Sequence, residues 1–162
     1  MEGKKVIILG SSRKNGNTTR IADEISKETG IEVIDLSDYN ISYYDYESKN
    51  REDDFFPLIK GIIEKYDTLI FATPIYWYNM SGIMKVFFDR FSDLIRIEKE
   101  TGRKLRGKKI GVISNSHDNE IEDSFYIPFK KSADYLGMEY LGHAHFNANI
   151  LNQTTKIELT FI

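Results

Sequence analysis

"KKVIILGSSRKNGNTTRIADEISKE", residues 4–28, decides the fold. It opens with the aliphatic run Val6–Leu9, a strand signal. It ends in a helical pattern, Thr18–Thr29, with Ile21, Ala22, Ile25 and Thr29 on one side and Gly30 as the stop. The turn between them holds the hydroxyls of Ser11, Ser12, Thr18 and Thr19, the amides of Asn15 and Asn17, and the guanidinium of Arg13. A strand-to-helix turn gathers backbone N–H groups and the positive end of a helix dipole at one point, which makes an anion site. Gly10 and Gly16 permit close approach, and a phosphate is the natural occupant. The spacing is neither G-x-x-x-x-G-K-[ST] nor G-x-G-x-x-G, which excludes the nucleoside-triphosphate and dinucleotide fingerprints. No acidic residue stands in the turn to accept a phosphoryl group. A phosphate monoester held without a metal fits the hydroxyl-rich loop; an ordinary turn capped by Asn17 or Thr18 is the other reading.

The same alternation continues outward. Further apolar runs at Glu32–Leu36, Thr68–Ala72 and Ile110–Ser114, and a weaker one at Glu139–Phe146, suit strands covered on both faces. Helical stripes lie between them at Asp54–Tyr66, Met80–Ile95 and Glu122–Leu136; Pro128 either kinks the last of these or marks its start. The order β-α-β-α-β-α-β-α-β implies right-handed crossovers and a three-layer α/β/α sandwich in one domain, residues 1–162. Ser37–Asp53, rich in Tyr, Asp, Ser and Asn, reads as an ordered excursion after the second strand. The tail carries no amphipathic helix, and "KIELTFI" alternates like a strand. The final helix of a five-strand sandwich is thus short or missing, and the bare face calls for another cover, such as a partner subunit.

Composition excludes several classes. The chain has no cysteine, hence no disulfide, thiolate nucleophile or cysteine-ligated cluster. A net charge of −3 argues against a dedicated nucleic-acid binder. No stretch is long enough for a signal core or a membrane span, so a cytoplasmic protein with no membrane partner is expected. Ten Tyr, ten Phe and one Trp offer stacking partners to a planar ligand.

Ligands of open parallel sheets bind beyond the carboxyl ends of the strands. "ATPIYWYNMSGIMKVFFDR" follows the third strand: Pro74 is expected to stop the strand, and "IYWYN" to form an aromatic loop before a helix starting at 79–81. Such a loop fits a flat heterocycle, although Tyr76, Trp77 and Tyr78 could equally plug a surface or meet a partner. "SNSHDNE", 114–120, is the polar loop after the fourth strand, where His117 is either a donor to the same ligand or a solvated side chain.

The two loops "GSSRKNGNT" and "TPIYWYNMSGIMKVFFDR" together resemble the flavodoxin-like NAD(P)H-dependent FMN reductases, in the branch with the iron–sulfur flavoproteins, over residues 4–146. The resemblance implies a flavodoxin-like five-stranded parallel sheet of order 2-1-3-4-5 and non-covalent FMN. It implies that Ser11, Arg13, Asn17, Thr18 and Thr19 take the FMN phosphate. Pro74, Ile75, Tyr76, Trp77 and Asn79 would then line the isoalloxazine, and Ser114, Asn115 and His117 approach its far side or the ribityl chain. Where the iron–sulfur branch carries its cysteines, this chain reads "ISYYDYESK", which supplies no thiolate for a cluster. The missing last helix points to a homodimer or homotetramer.

The activity the resemblance implies is hydride transfer from NADH or NADPH to the flavin N5 and onward to a small-molecule acceptor, such as a quinone or a nitro or azo compound. The flavin carries that chemistry, so no side chain is named as catalytic acid or base. An electron-carrier flavodoxin without NAD(P)H turnover and a flavin-free binding domain are the alternatives. "RKLRGKK", 103–109, reads as a solvated loop that could otherwise meet the extra phosphate of NADPH. His143 and His145 alternate on one strand face without a third metal ligand nearby.

Overall fold

The computed structural model of the chain describes residues 3–149, 157 and 159–162. Strands β1 (Lys5–Leu9), β2 (Glu32–Asp35), β3 (Thr68–Tyr76), β5 (Lys109–Ser116) and β6 (Glu139–Asn147) form one parallel sheet in the order β2-β1-β3-β5-β6. The two-residue β4 (Asn79–Met80) pairs antiparallel with the end of β3. Counting the parallel strands alone, this is the expected 2-1-3-4-5. The helices are α1 (Asn17–Thr29), α2 (Phe55–Lys65), α3 (Gly82–Asp89), α4 (Phe91–Arg96), α5 (Lys99–Arg103) and α6 (Ile127–Leu136).

Each sheet face seals its own core. On one, Val6, Ile8, Phe71 and Val112 meet Ile59 of α2, Met84 and Phe87 of α3 and Phe129 of α6. On the other, Ile7, Leu9, Ile70 and Ile113 meet Ile21, Ala22 and Ile25 of α1. Successive β1 residues point to opposite cores, which is why the run is apolar without alternation.

Four details differ from the sequence reading. Pro74 does not stop β3: the strand runs on to Tyr76 and folds back into β4. The stripe read as one helix over 80–95 is two helices broken at Arg90, whose side chain is fully buried. The helix read from Glu122 begins only at Ile127, after a 3-10 turn, Asp123–Tyr126; Pro128 marks its start, one of the two readings the sequence left open.

The fourth difference concerns the tail. No described residue after β6 is helical, and Ile157, Leu159, Phe161 and Ile162 are not strand; residues 150–156 and 158 lie outside the described residues. Ile157 is buried in the α1-side core, with Leu159, Phe161 and Ile162 packed against it. The chain itself thus covers the face for which a partner subunit is expected. The fit depends on two glycines: a Cβ on Gly111 would lie 2.3 Å from the Phe161 ring, and one on Gly142 would lie 3.0 Å from Phe161 Cβ.

Candidate functional site at the carboxyl ends of the strands

The turn after β1 is held by its own short bonds. Ser11 Oγ accepts from Arg13 N–H at 3.3 Å, and the Arg13 carbonyl accepts from Gly16 N–H at 3.2 Å and from Thr19 Oγ1 at 3.1 Å. The N-cap of α1 is Gly16, not Asn17 or Thr18, so no side chain occupies the first-turn amides. A Cβ on Gly16 would press to 3.2 Å from Arg13 Cβ. Gly10 serves a different purpose from the one expected of it. A Cβ there would meet Met84 at 2.8 Å, so its bareness admits α3 rather than a ligand.

The second wall is the β3–β4 hairpin. Ile75 pairs with Met80 and Tyr76 with Asn79, leaving Trp77 and Tyr78 as a two-residue turn with φ of 48° and 64°. Two positive φ values define the turn geometry that matches strand twist, but it normally selects Asn-Gly. Aromatic residues there store backbone strain. Two polar bonds hold the hairpin from below. Ser81 Oγ donates to the Gly10 carbonyl at 2.6 Å and accepts from Met84 N–H, capping α3; Ser81 N–H donates to the buried Thr73 Oγ1 at 3.0 Å. The Ser-Gly dipeptide before a helical stripe was the available signal for this cap.

The loop after β5 closes the third side. Thr18 Oγ1 donates to Asn115 Oδ1 at 2.5 Å, linking α1 to β5. His117 Nδ1 meets Asn149 Oδ1 at 2.9 Å, while Asn149 Nδ2 donates back to the His117 carbonyl at 3.2 Å.

These three segments enclose a cavity of about 100 Å³. Of the residues singled out in the sequence, Ser11, Arg13, Asn17, Thr18, Pro74, Ile75, Tyr76, Asn115 and His117 line it. Gly16, expected there for the close approach it permits, lines it too, as do Ser116 and Ala148, which carried no sequence signal of their own. Thr19, Trp77, Asn79 and Ser114 do not. Thr19 supports the turn, and Trp77 stands 93% exposed at the hairpin tip. The Asn79 side chain accepts from Met80 N–H at 2.8 Å. Ser114 faces the opposite side of the sheet, bonded to Tyr126 at 2.8 Å and His145 at 3.0 Å. The volume holds about three waters, so it admits a phosphate group but not a tricyclic ring. The Arg13 guanidinium makes no hydrogen bond or ion pair among the described residues, whereas neighbouring Lys14 is paired with Asp38. Donors, hydroxyls and one available cation thus suit the phosphate monoester of FMN.

A larger cavity of about 760 Å³ adjoins it across Tyr76, walled by Tyr39, Ile41 and Tyr43 of the excursion and by Ile83 and Val86 of α3. Ser37 also lines it, and the Ser37 hydroxyl is buried without a partner among the described residues. Arg90 fastens this wall. Its guanidinium pairs with Asp53 and with Asp93 (2.6 Å), donates to the Ser42 carbonyl at 3.0 Å, and lies 4.6 Å from the centre of the Phe55 ring. Burial opposes the Asp53 carboxylate. Arg90 and the backbone N–H groups of Ser42 and Phe55 outweigh it and hold the group below the usual carboxylate range. Sequence periodicity hid this residue inside an apolar stripe.

Two other expectations find their places. The basic run 103–109 ends at the amino end of β5, a strand length of roughly 25 Å from the cavity. Among the described residues no group of three His, Cys, Asp or Glu could hold a metal; His143 instead stacks on Tyr126 at 3.6 Å, and burial holds its pKa below the usual value.

A protein of Bacillus subtilis (strain 168), named as an NAD(P)H-dependent FMN-containing oxidoreductase, is 31% identical over 150 residues, 86% of this chain and 82% of its own length. The iron–sulfur flavoprotein of Archaeoglobus fulgidus is 35% identical over 100 residues, 54% of this chain and 44% of its own length. The general stress protein 14 of Treponema denticola, solved in complex with FMN, superposes with a TM-score of 0.66 at 20% identity, covering 91% of this chain and 87% of its own. No helix among the described residues is long and apolar enough to cross a membrane. The sequence model described as NADPH-dependent FMN reductase matches residues 4–150, and the chain belongs to that family.

Proposed function

We propose that the 100 Å³ cavity holds the FMN phosphate and that the β3–β4 hairpin carries the flavin ring. The observation that carries this reading is the convergence of uncapped α1 amides, Ser11, Thr18 and the available Arg13 guanidinium beside Pro74–Tyr76. Asn115 and His117 stand where the ribityl chain or the ring edge would pass. Bound FMN supplies hydride acceptance from NADH or NADPH and electron delivery to an acceptor.

The chain's own residues bind, orient and exclude water; none needs to move a proton for hydride transfer. The aromatic-walled cavity beyond Tyr76 suits a flat small-molecule acceptor of the quinone, nitro or azo type. Tyr43, Tyr46, Trp77 and Tyr78 are all more than three-quarters exposed, an unusual aromatic surface that suits a second copy of the chain in a homodimer or homotetramer. One domain acting in the cytoplasm goes with this reading.

Titration of FMN into the purified protein, followed by flavin fluorescence, tests the reading. Quenching at a 1:1 ratio and anaerobic bleaching by NADPH support it; unquenched FMN sinks it.

A further inference from the structure

His145 lies on β6 outside the cavity, opposite Ser114 in the β5–β6 register. Its two ring nitrogens face different kinds of partner. Nε2 lies 3.1 Å from the Asp118 carbonyl oxygen, which can only accept, and 3.4 Å from Ser116 Oγ, which can accept from the same N–H. Nδ1 lies 3.0 Å from Ser114 Oγ, which in turn lies 2.8 Å from the Tyr126 hydroxyl. Ser114 is fully buried and Tyr126 is 1% exposed. One proton assignment satisfies every member of this chain. Tyr126 O–H donates to Ser114, Ser114 O–H donates to Nδ1, and Nε2–H donates to Asp118. The reverse order strands the buried Tyr126 hydrogen without an acceptor among the described residues.

Asp118 is joined to the cavity wall. Its N–H donates to Ser116 Oγ at 3.0 Å, and Ser116 and His117 line the cavity. We propose that His145 is a positioning residue for FMN: the buried Tyr126–Ser114 pair locks it as the Nε2–H tautomer, and that N–H holds the 116–118 loop against the phosphate cavity. The proposal rests on the FMN reading above. His145 meets the cavity lining only at Ser116 Oγ, 3.4 Å from Nε2, and it acts through that contact and the Asp118 carbonyl.

The test compares three proteins at pH 7.5. H145Q keeps a donor near the Nε2 position, whereas H145N can place one only near Nδ1. FMN affinity is read by fluorescence quenching, and the tautomer of wild-type His145 by nitrogen-15 NMR of the FMN-free protein. The expected result is the Nε2–H tautomer, FMN binding about fivefold weaker in H145N, and H145Q within about twofold of wild type, the scale of one net hydrogen bond. An Nδ1–H tautomer, or equal affinities for the two variants, overturns the positioning role while leaving FMN binding standing. A wild-type protein that takes up no FMN overturns both.

Discussion

Replacing Arg90 by Met should destabilise the protein by about 3–5 kcal/mol, because it leaves carboxylates buried without their counter-ion. Arg90 is 0% exposed and its partners are nearly as deep, with side-chain exposures of 5% for Asp53 and 2% for Asp93. Met fills much of the same volume, so the loss is one of charge pairing and hydrogen bonding more than of packing. For a chain of this size such a loss lowers Tm by roughly 10 °C or more. The pH dependence identifies the cause. In the wild type Asp53 titrates below its unfolded value, so the stability it contributes is present above the ordinary carboxylate range and drains only as pH falls through the lowered value. Without Arg90, burial acts on Asp53 with less opposition and the carboxyl takes up a proton at higher pH. The R90M defect should therefore shrink between pH 7 and pH 5. Urea unfolding at several pH values measures it, and the triple variant R90M/D53N/D93N should recover most of the loss. A defect below about 1 kcal/mol, or one unchanged with pH, refutes the stranded-charge argument.

Other outcomes follow from the same geometry. R13A should weaken FMN binding about tenfold, the scale of one charge-assisted hydrogen bond, and leave riboflavin binding unchanged, since in the proposed pose only the phosphate would meet the guanidinium. Replacing Trp77-Tyr78 by Asn-Gly should raise the stability of the FMN-free protein by about 1–2 kcal/mol in urea unfolding, because the turn's positive φ values then cost nothing. G111A should destabilise by displacing the Phe161 ring, and most of that cost should vanish in an F161A background, which a double-mutant cycle reads directly.

The parallel sheet was legible because its strands are buried on both faces. Val6–Leu9 and Leu69–Ala72 have no polar residue to mislead a periodicity argument, and one-sided stripes separate them. The stop at Pro74 was misread for a physical reason. A proline lacks the ladder donor, but at the carboxyl end of β3 the chain turns back on itself, and the missing N–H costs nothing decisive. The break at Arg90 was invisible because the apolar stripe continues through α4. Nothing local marks a guanidinium whose partners lie 37 residues back and three residues on. The tail's role was hidden likewise: Gly111 and Gly142 are shaped for Phe161, and that pairing exists only once β5, β6 and the tail are assembled.

The candidate site divides along the same line. Residues that line the phosphate-sized cavity with backbone and short polar side chains, such as Ser11, Asn17 and Thr18, sit in a turn whose composition is itself the signal. Residues that orient those groups are spread over the chain and look ordinary where they stand. Ser81 reaches Gly10 across 71 residues, and His145 meets the Asp118 carbonyl from the edge strand. Both bonds join strand ends that the 2-1-3-4-5 order brings side by side. The topology therefore does more than gather the loops: it supplies the short cross-links that fix their distances. A substitution at such a cross-link should shift ligand affinity without touching a ligand atom, which separates the orienting residues from the lining ones in a single set of FMN titrations.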